Sequence, residues 1–327
     1  MTRSYYVTIR INRRTLLGAT GVAALALAAC SRGNPLDTGS PSTSTAPIPG
    51  GGASSPAGKV TVGSAGFAES EIIAELYAQA LEHAGVEVDR RMQIGARDAY
   101  FKALTDGSID LIPEYTGNLL QFLDPAATAS APDEIVTALK AALPKNLRVL
   151  TPASAEDKDA WCVTSEFSTT NGVKSLADLA GFSGTLRLVG NPELAERPYG
   201  PKGLTKLYGV PADRMTFTPI DDGSGPLTVQ ALLKGDVDMA DIFTTTPAIS
   251  DNNLVVLEDP KHMILAQNVI PLASNVVPAS ADAVLDAVSK ALTTEDLIAM
   301  NARNQGDEKA APARIAADWL KSTGLLA

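Results

Sequence analysis

Only two of the 327 residues are histidine and two are cysteine, which leaves little from which to build an acid–base or metal centre. His83 and His262 belong to no cluster with metal-ligand spacing. The chain holds no Gly-x-Ser-x-Gly elbow, no His-Glu-x-x-His and no phosphate-cradling glycine loop. No enzyme activity, catalytic residue, metal or cofactor is expected. The most distinctive spacing involves aromatic residues instead. Ala103–Leu111 (ALTDGSIDL) aligns without gaps on Ala231–Met239 (ALLKGDVDM), and five residues beyond the last aspartate of each copy stands a ring followed by threonine: Tyr115–Thr116 in one, Phe243–Thr244 in the other. A ring face attracts cations and offers a flat apolar contact.

Each copy reads as a helix end, a glycine turn and a strand whose exit carries the aspartate. If the halves are similarly built lobes, the Tyr115 and Phe243 rings should meet across the gap, although helix, glycine and strand also recur by chance in any α/β chain. A strand at Lys59–Gly63, with Val60 and Val62 on one face, is followed by a helix carrying Ile72, Ile73, Leu76, Tyr77, Ala80 and Leu81. Gly85 stops that helix before a strand at Val86–Val88. Strand, helix and strand at this length predict a mainly parallel sheet with helices on its faces, and ligands beyond the strand C-termini. Farther along, the pattern predicts helices at Ile135–Leu143, Leu176–Leu179, Leu227–Leu233, Ala281–Leu292, Thr294–Asn304 and Pro312–Leu320. It predicts strands at Leu147–Leu150, Trp161–Thr164, Leu186–Val189 and Leu254–Leu257.

The first thirty residues hold four arginines and no acid, followed by an apolar run from Leu16 to Ala29 too short to span a bilayer. Residues 1–29 read as an export signal, with Arg13 and Arg14 leaving both the twin-arginine and the ordinary route open. Its end, Leu27-Ala28-Ala29-Cys30, resembles the lipobox of bacterial lipoproteins, which implies a lipid on Cys30 and an extracytoplasmic position on the cell membrane. Residues 30–58 are rich in Ser, Thr, Pro, Gly and Ala and read as a disordered tether. Loss of the four arginines lowers the formal charge from −10 to −14, which argues against a nucleic-acid partner. Cys162 is then the only cysteine of the body, so no intrachain disulfide is expected.

The body resembles the glycine betaine, choline and carnitine binding proteins of osmoprotection ABC transporters. The resemblance rests on Gly63–Glu69 (GSAGFAE), on Gly107–Asn118 (GSIDLIPEYTGN) and on Glu196–Gly200 (ERPYG), and Pro-Glu-Tyr-Thr-Gly is its most specific segment. It implies an α/β clamshell of the type II periplasmic-binding-protein kind, with two chain crossovers between lobes. Lobe I would comprise residues 59–160 with 261–327, and lobe II residues 161–260. It also implies a monomer that captures a small quaternary ammonium ion or zwitterion and delivers it to a permease driven by an ATPase.

A quaternary ammonium has no proton to donate, so it must be held by ring faces, each worth about 0.5–2 kcal/mol as the site dries. A carboxylate tail asks for a fork such as arginine. By the resemblance, Tyr115, Trp161 and Phe243 are cage rings, Arg197 grips a carboxylate and Asn118 stands where the family often has a contacting threonine. Ser64 and Gln267 complete the expected ligand-binding set. Gln267 stands near the expected place of a fourth ring, Thr246 where the family often has aspartate, and Ala65 where a polar residue is frequent. Trp161 has a second reading as hinge packing, and Arg197 as a surface partner of Glu193 or Glu196. An aromatic or polyhydroxy solute on the same rings, or a lipoprotein sensor, are the competing functions.

Overall fold

A computed structural model describes residues 59–326, so the expected signal, Cys30 and the tether lie outside the described residues. The first strands in the chain are β1 (Val60–Gly63), β2 (Val88–Arg91), β3 (Leu111–Tyr115) and β4 (Leu147–Val149). Next come β5 (Trp161–Val163), β6 (Leu186–Gly190), β7 (Met215–Pro219), β8 (Met239–Asp241) and β9 (Val255–Val256). The chain then returns to the first sheet with β10 (Val269–Ser274). The sheet orders are β2-β1-β3-β10-β4 and β7-β6-β8-β5-β9. In both, the first three strands are parallel and the fourth is antiparallel.

The helices are α1 (Ala68–His83), α2 (Arg97–Thr105), α3 (Thr116–Leu123), α4 (Pro132–Ala142), α5 (Ser165–Asn171), α6 (Pro201–Tyr208), α7 (Pro226–Leu233), α8 (Ala248–Asp251), α9 (Asp282–Ala291), α10 (Thr294–Gln305) and α11 (Pro312–Ser322). On one face of the first sheet, Val60, Val62, Leu111 and Ala273 pack against apolar residues of α1, α9, α10 and α11. On the other, Ile112, Ile270 and Leu272 pack against α2, α3 and α4. The second sheet is likewise covered on both faces, by α6 and the 3-10 turn at Leu176–Gly181 and by α7. Covering both faces is what lets these strands be apolar on both sides.

The sequence echo is a structural repeat. Gly107 and Gly235 turn with φ of 78° and 74°, a left-handed conformation that glycine adopts at little steric cost. Asp110 Oδ2 accepts from Thr61 N at 2.9 Å while Asp110 N donates to Thr61 O at 2.8 Å; Asp238 repeats both bonds with Arg187 at the same distances. These aspartates stand at the entry of β3 and β8, not at the exit as expected, because their carboxylates bridge to the neighbouring parallel strand before the ladder starts. The second strand also starts later than Val86, since β1 pairs Val60 with Val88. β10 was not foreseen: it is buried throughout and carries Pro271 at its centre, facing Pro113 of β3, so the two missing N–H groups coincide.

Two chain crossings join the sheets side by side. Asp157 N donates to Gln267 O at 3.2 Å, and Glu156 bridges antiparallel to Asn268. No helix among the described residues is long and apolar enough to cross a membrane.

Candidate ligand cavity at the strand ends

A cavity of about 610 Å³ opens where the carboxyl ends of the two sheets face each other, the usual ligand position in open α/β sheets. The first half contributes the turn after β1 (Ala65–Phe67), the start of α2 (Arg97, Tyr100) and the β3–α3 junction (Tyr115, Asn118). The second half contributes the residues after β6 (Asn191–Leu194, Arg197, Tyr199), those after β7 (Asp221, Gly223) and the end of β8 (Asp241, Phe243). Asp157 and Asp159 reach it from the first crossing.

Tyr115 and Phe243 share this cavity, but they do so through a third ring. Phe67 lies 6.2 Å from Tyr115 and 5.3 Å, edge to face, from Phe243. Phe67 belongs to the Gly63–Glu69 segment noted in the sequence yet was not counted as a site residue; the signal was its place directly after a buried strand. Gly223, with φ of 61°, closes on it from the other half, and a Cβ there would stand 2.6 Å from Phe67 Cβ. The Tyr115 hydroxyl donates to Glu69 Oε1 at 2.7 Å. Burial, then the neighbouring Glu69 and Asp157 carboxylates, push that phenol well above its ordinary pKa, so it remains a donor. Glu69 Oε2 in turn accepts from Thr245 Oγ1 at 2.5 Å and Asn301 Nδ2 at 2.6 Å, which fixes the ring against both halves.

Of the expected site residues, Tyr115, Asn118, Arg197 and Phe243 line the cavity; Trp161, Gln267 and Ser64 do not. Trp161 is 1% exposed in the core of the second half, and its Nε1 donates to the Tyr199 carbonyl at 3.1 Å. Tyr199, whose carbonyl accepts that bond, lines the wall. Gln267 backs the wall: Nε2 donates to Asn118 Oδ1 at 2.6 Å and Oε1 accepts from Asn118 N at 2.9 Å, orienting the asparagine. Ser64 is spent on the turn after β1, accepting from Gln93 N at 2.8 Å and donating to Ala65 O at 3.0 Å. Arg197 pairs with neither Glu193 nor Glu196. It reaches to the first half, where Nη2 donates to Asp98 at 2.8 Å and the guanidinium lies 5.5 Å from the centre of the Phe122 ring. Its Nε is buried with no acceptor among the described residues.

The rest of the wall carries five acids, Asp157, Asp159, Glu193, Asp221 and Asp241, beside Arg97. Arg97 forks onto the buried Glu114 at 2.9 and 3.0 Å, and the Tyr100 hydroxyl donates to the same carboxylate at 2.8 Å, so this arginine is already neutralised. Asp157, Asp159 and Asp241 have no such fork. Burial, then the Glu69 charge, raises Asp157 well above the carboxylate range, against the hydrogen bond from Thr245 N at 3.0 Å that pulls it down. Asp241 is raised by burial, then by the charge of Asp159 beside it. Asp159 is half-buried by area and lines the cavity; burial raises it, while the Asn118 Nδ2 donor at 2.6 Å opposes the rise. These acids come from the crossing and from β8, far apart in sequence, and nothing local marked them.

Two α/β halves of one topology, joined by paired crossings and facing each other over a shared cavity, define a two-lobed solute-binding protein. Residues 58–322 match the family model described as the substrate binding domain of the ABC-type glycine betaine transport system, and the chain belongs to that family. A curated relative, the glycine betaine-binding protein YehZ of Escherichia coli (strain K12), is 28% identical over 214 residues, covering 63% of this chain and 70% of that protein. The solved structure of apo YehZ from Escherichia coli aligns with a TM-score of 0.58 at 26% identity, covering 82% of this chain and 99% of the other. A structure described as a glycine betaine/carnitine/choline ABC transporter aligns with a TM-score of 0.65 at 21% identity, over 82% of this chain and 100% of that one. The two-lobe fold and membership of the substrate-binding family of glycine betaine ABC systems follow.

Proposed function

We propose that this protein captures a small quaternary ammonium solute, of the glycine betaine or choline kind, between Phe67, Tyr115 and Phe243 and hands it to an ABC permease. The observation that carries this reading is the meeting of the three rings, drawn from both halves, over one cavity whose remaining wall is rich in carboxylates. A permanently charged, methylated cation cannot repay its lost hydration with hydrogen bonds to protein acceptors. Ring faces and nearby negative charge can compensate, and the cavity offers both. Three rings at about 0.5–2 kcal/mol each supply about 1.5–6 kcal/mol, so a micromolar Kd, about 8 kcal/mol, requires the carboxylates of the wall to contribute the rest. Arg197, with an unused Nε at the wall, would serve any ligand carboxylate.

Within this reading Cys30 carries the lipid, the folded body works as a monomer on the extracytoplasmic face of the cell membrane, and the transport energy comes from the ATPase on the far side. No bond is made or broken. Calorimetric titration of purified protein with choline, glycine betaine, carnitine and a panel of aromatic compounds tests the ligand class. Heat from a quaternary ammonium is expected; heat from aromatics alone would overturn the reading. A Cys30→Ser chain, expected to leave the membrane fraction, tests the anchor.

A further inference from the structure

Asp241 is 1% exposed, lies at the end of β8 and lines the cavity, yet its Oδ2 faces no donor among the described residues. The antiparallel pairing of Trp161 with Asp241, continued by Ile242 N to Ala160 O and Thr244 N to Lys158 O, places Asp159 beside Asp241 in the cavity wall, and Asp159 Oδ2 accepts from Asn118 at 2.6 Å. Two ionised carboxylates, one of them buried, repel each other in this wall; one proton between them converts the orphan oxygen of Asp241 into a donor toward Asp159. The empty cavity therefore fits the pair best with that proton in place.

We propose that the Asp159–Asp241 pair, two carboxyl groups facing each other in the cavity wall with one otherwise unpartnered oxygen between them, gives up a proton when a quaternary ammonium ion enters. Capture of the cation is coupled to proton release, and affinity strengthens as pH rises. This rests on the quaternary-ammonium reading and deepens it by assigning the two residues that match the ligand's charge.

The groups facing the pair set its charge balance. Arg97 comes from α2, Tyr199 and Glu193 from the segment between β6 and α6, Cys162 from β5, Asp157 from the crossing and Asn118 from α3. Two cations border the site: Arg97, whose fork is committed to Glu114, and Arg197, which pairs with Asp98. Tyr199 and Cys162 are held neutral by burial, and the Asp157 and Glu193 charges push Asp241 farther up. A cation placed in the cavity supplies the positive charge that this surrounding lacks. The proton passes from Asp241 Oδ2 to water and buffer, and the ligand's charge replaces it, so the charge of the filled site matches that of the empty one. No other species is consumed.

The test is titration calorimetry with choline in two buffers of equal pH but unequal ionisation enthalpy, repeated across pH. The heats are expected to differ by the amount belonging to close to one released proton, and Kd to fall up to about tenfold per pH unit while the empty pair is protonated. Asp241→Asn removes the titrating acid, so the difference between buffers and the slope of Kd with pH should both vanish. Asp159→Asn provides the same test from the other partner, and thermal melting certifies the fold of each variant. Equal heats in both buffers at every pH, with choline bound, would overturn the coupling and leave the ligand reading intact. Undiminished proton release from both variants would do the same. No heat from choline, glycine betaine or carnitine would overturn both. The infrared carboxylic-acid band of the ligand-free protein, expected to lose the intensity of one group in Asp241→Asn while that of Asp157 remains, tests the shared proton independently of any ligand.

Discussion

The ring of Phe67, from the turn after β1, meets Phe243, from the end of β8, at 5.3 Å and an interplanar angle of 63°. This contact joins the two halves at the cavity, and Tyr115 completes it 6.2 Å from Phe67 on the first side. A residue outside the repeat thus brings the two repeated rings into one cluster.

Phe67→Ala removes the ring touching both others, which should weaken quaternary ammonium binding by about 1–2 kcal/mol, or roughly five- to thirtyfold. Phe67 is only half-buried, so melting should shift little. Calorimetric titration against wild type checks this, and unchanged affinity would show that the rings do not form the site.

Gly223→Ala tests whether the observed approach of the halves is the one that holds ligand. The added Cβ would collide with Phe67 Cβ at 2.6 Å and strain a backbone at φ 61°. Affinity is expected to fall about tenfold or more with each half still folded, and small-angle scattering with ligand should show a wider particle. Wild-type affinity in this variant would mean that binding occurs in a more open arrangement.

Trp161→Leu separates core packing from ligand contact. The indole fills the interior of the second half and bonds the Tyr199 carbonyl, so its loss should cost about 2–4 kcal/mol of stability. Its effect on affinity should be smaller than that of Phe67→Ala. The opposite ranking, with melting preserved, would return Trp161 to the cage.

Stability should also depend on pH in a stated direction. Asp157, Asp159 and Asp241 keep their protons to higher pH in the folded chain than in the unfolded one, so the folded state binds more protons above the ordinary aspartate value of about 3.9. Stability from these groups is complete below that value and is lost as pH climbs through their raised range. Glu82, Asp106, Glu308 and Asp318, held low by donors from Arg90, Ser108 and Arg303, act oppositely only at stronger acidity and are largely solvated. The ligand-free protein should therefore melt higher in mild acid than in mild alkali, and Asp241→Asn should flatten the dependence. A melting temperature that rises steadily with pH over this range would contradict the assigned shifts.

The sequence by itself determined what depends on near neighbours along the chain. The 3.6-residue pattern of α1, the glycine turns at Gly107 and Gly235 and the aspartates that follow them are local, so the repeat and the ring at each strand end could be read directly. Even there the reading put Asp110 and Asp238 at the wrong end of their strands, because their bonds to Thr61 and Arg187 span about fifty residues. The rest needed tertiary structure. Whether Trp161 faces ligand or core depends on what packs beside β5. Gln267 became the support of Asn118 only because the second crossing lies 149 residues away in sequence yet in contact with α3. The acids Asp157, Asp159 and Asp241 form one wall because β8 ends beside the first crossing. A side chain's type states what chemistry it can perform; burial and long-range neighbours decide whether it performs it, and no local period encodes them.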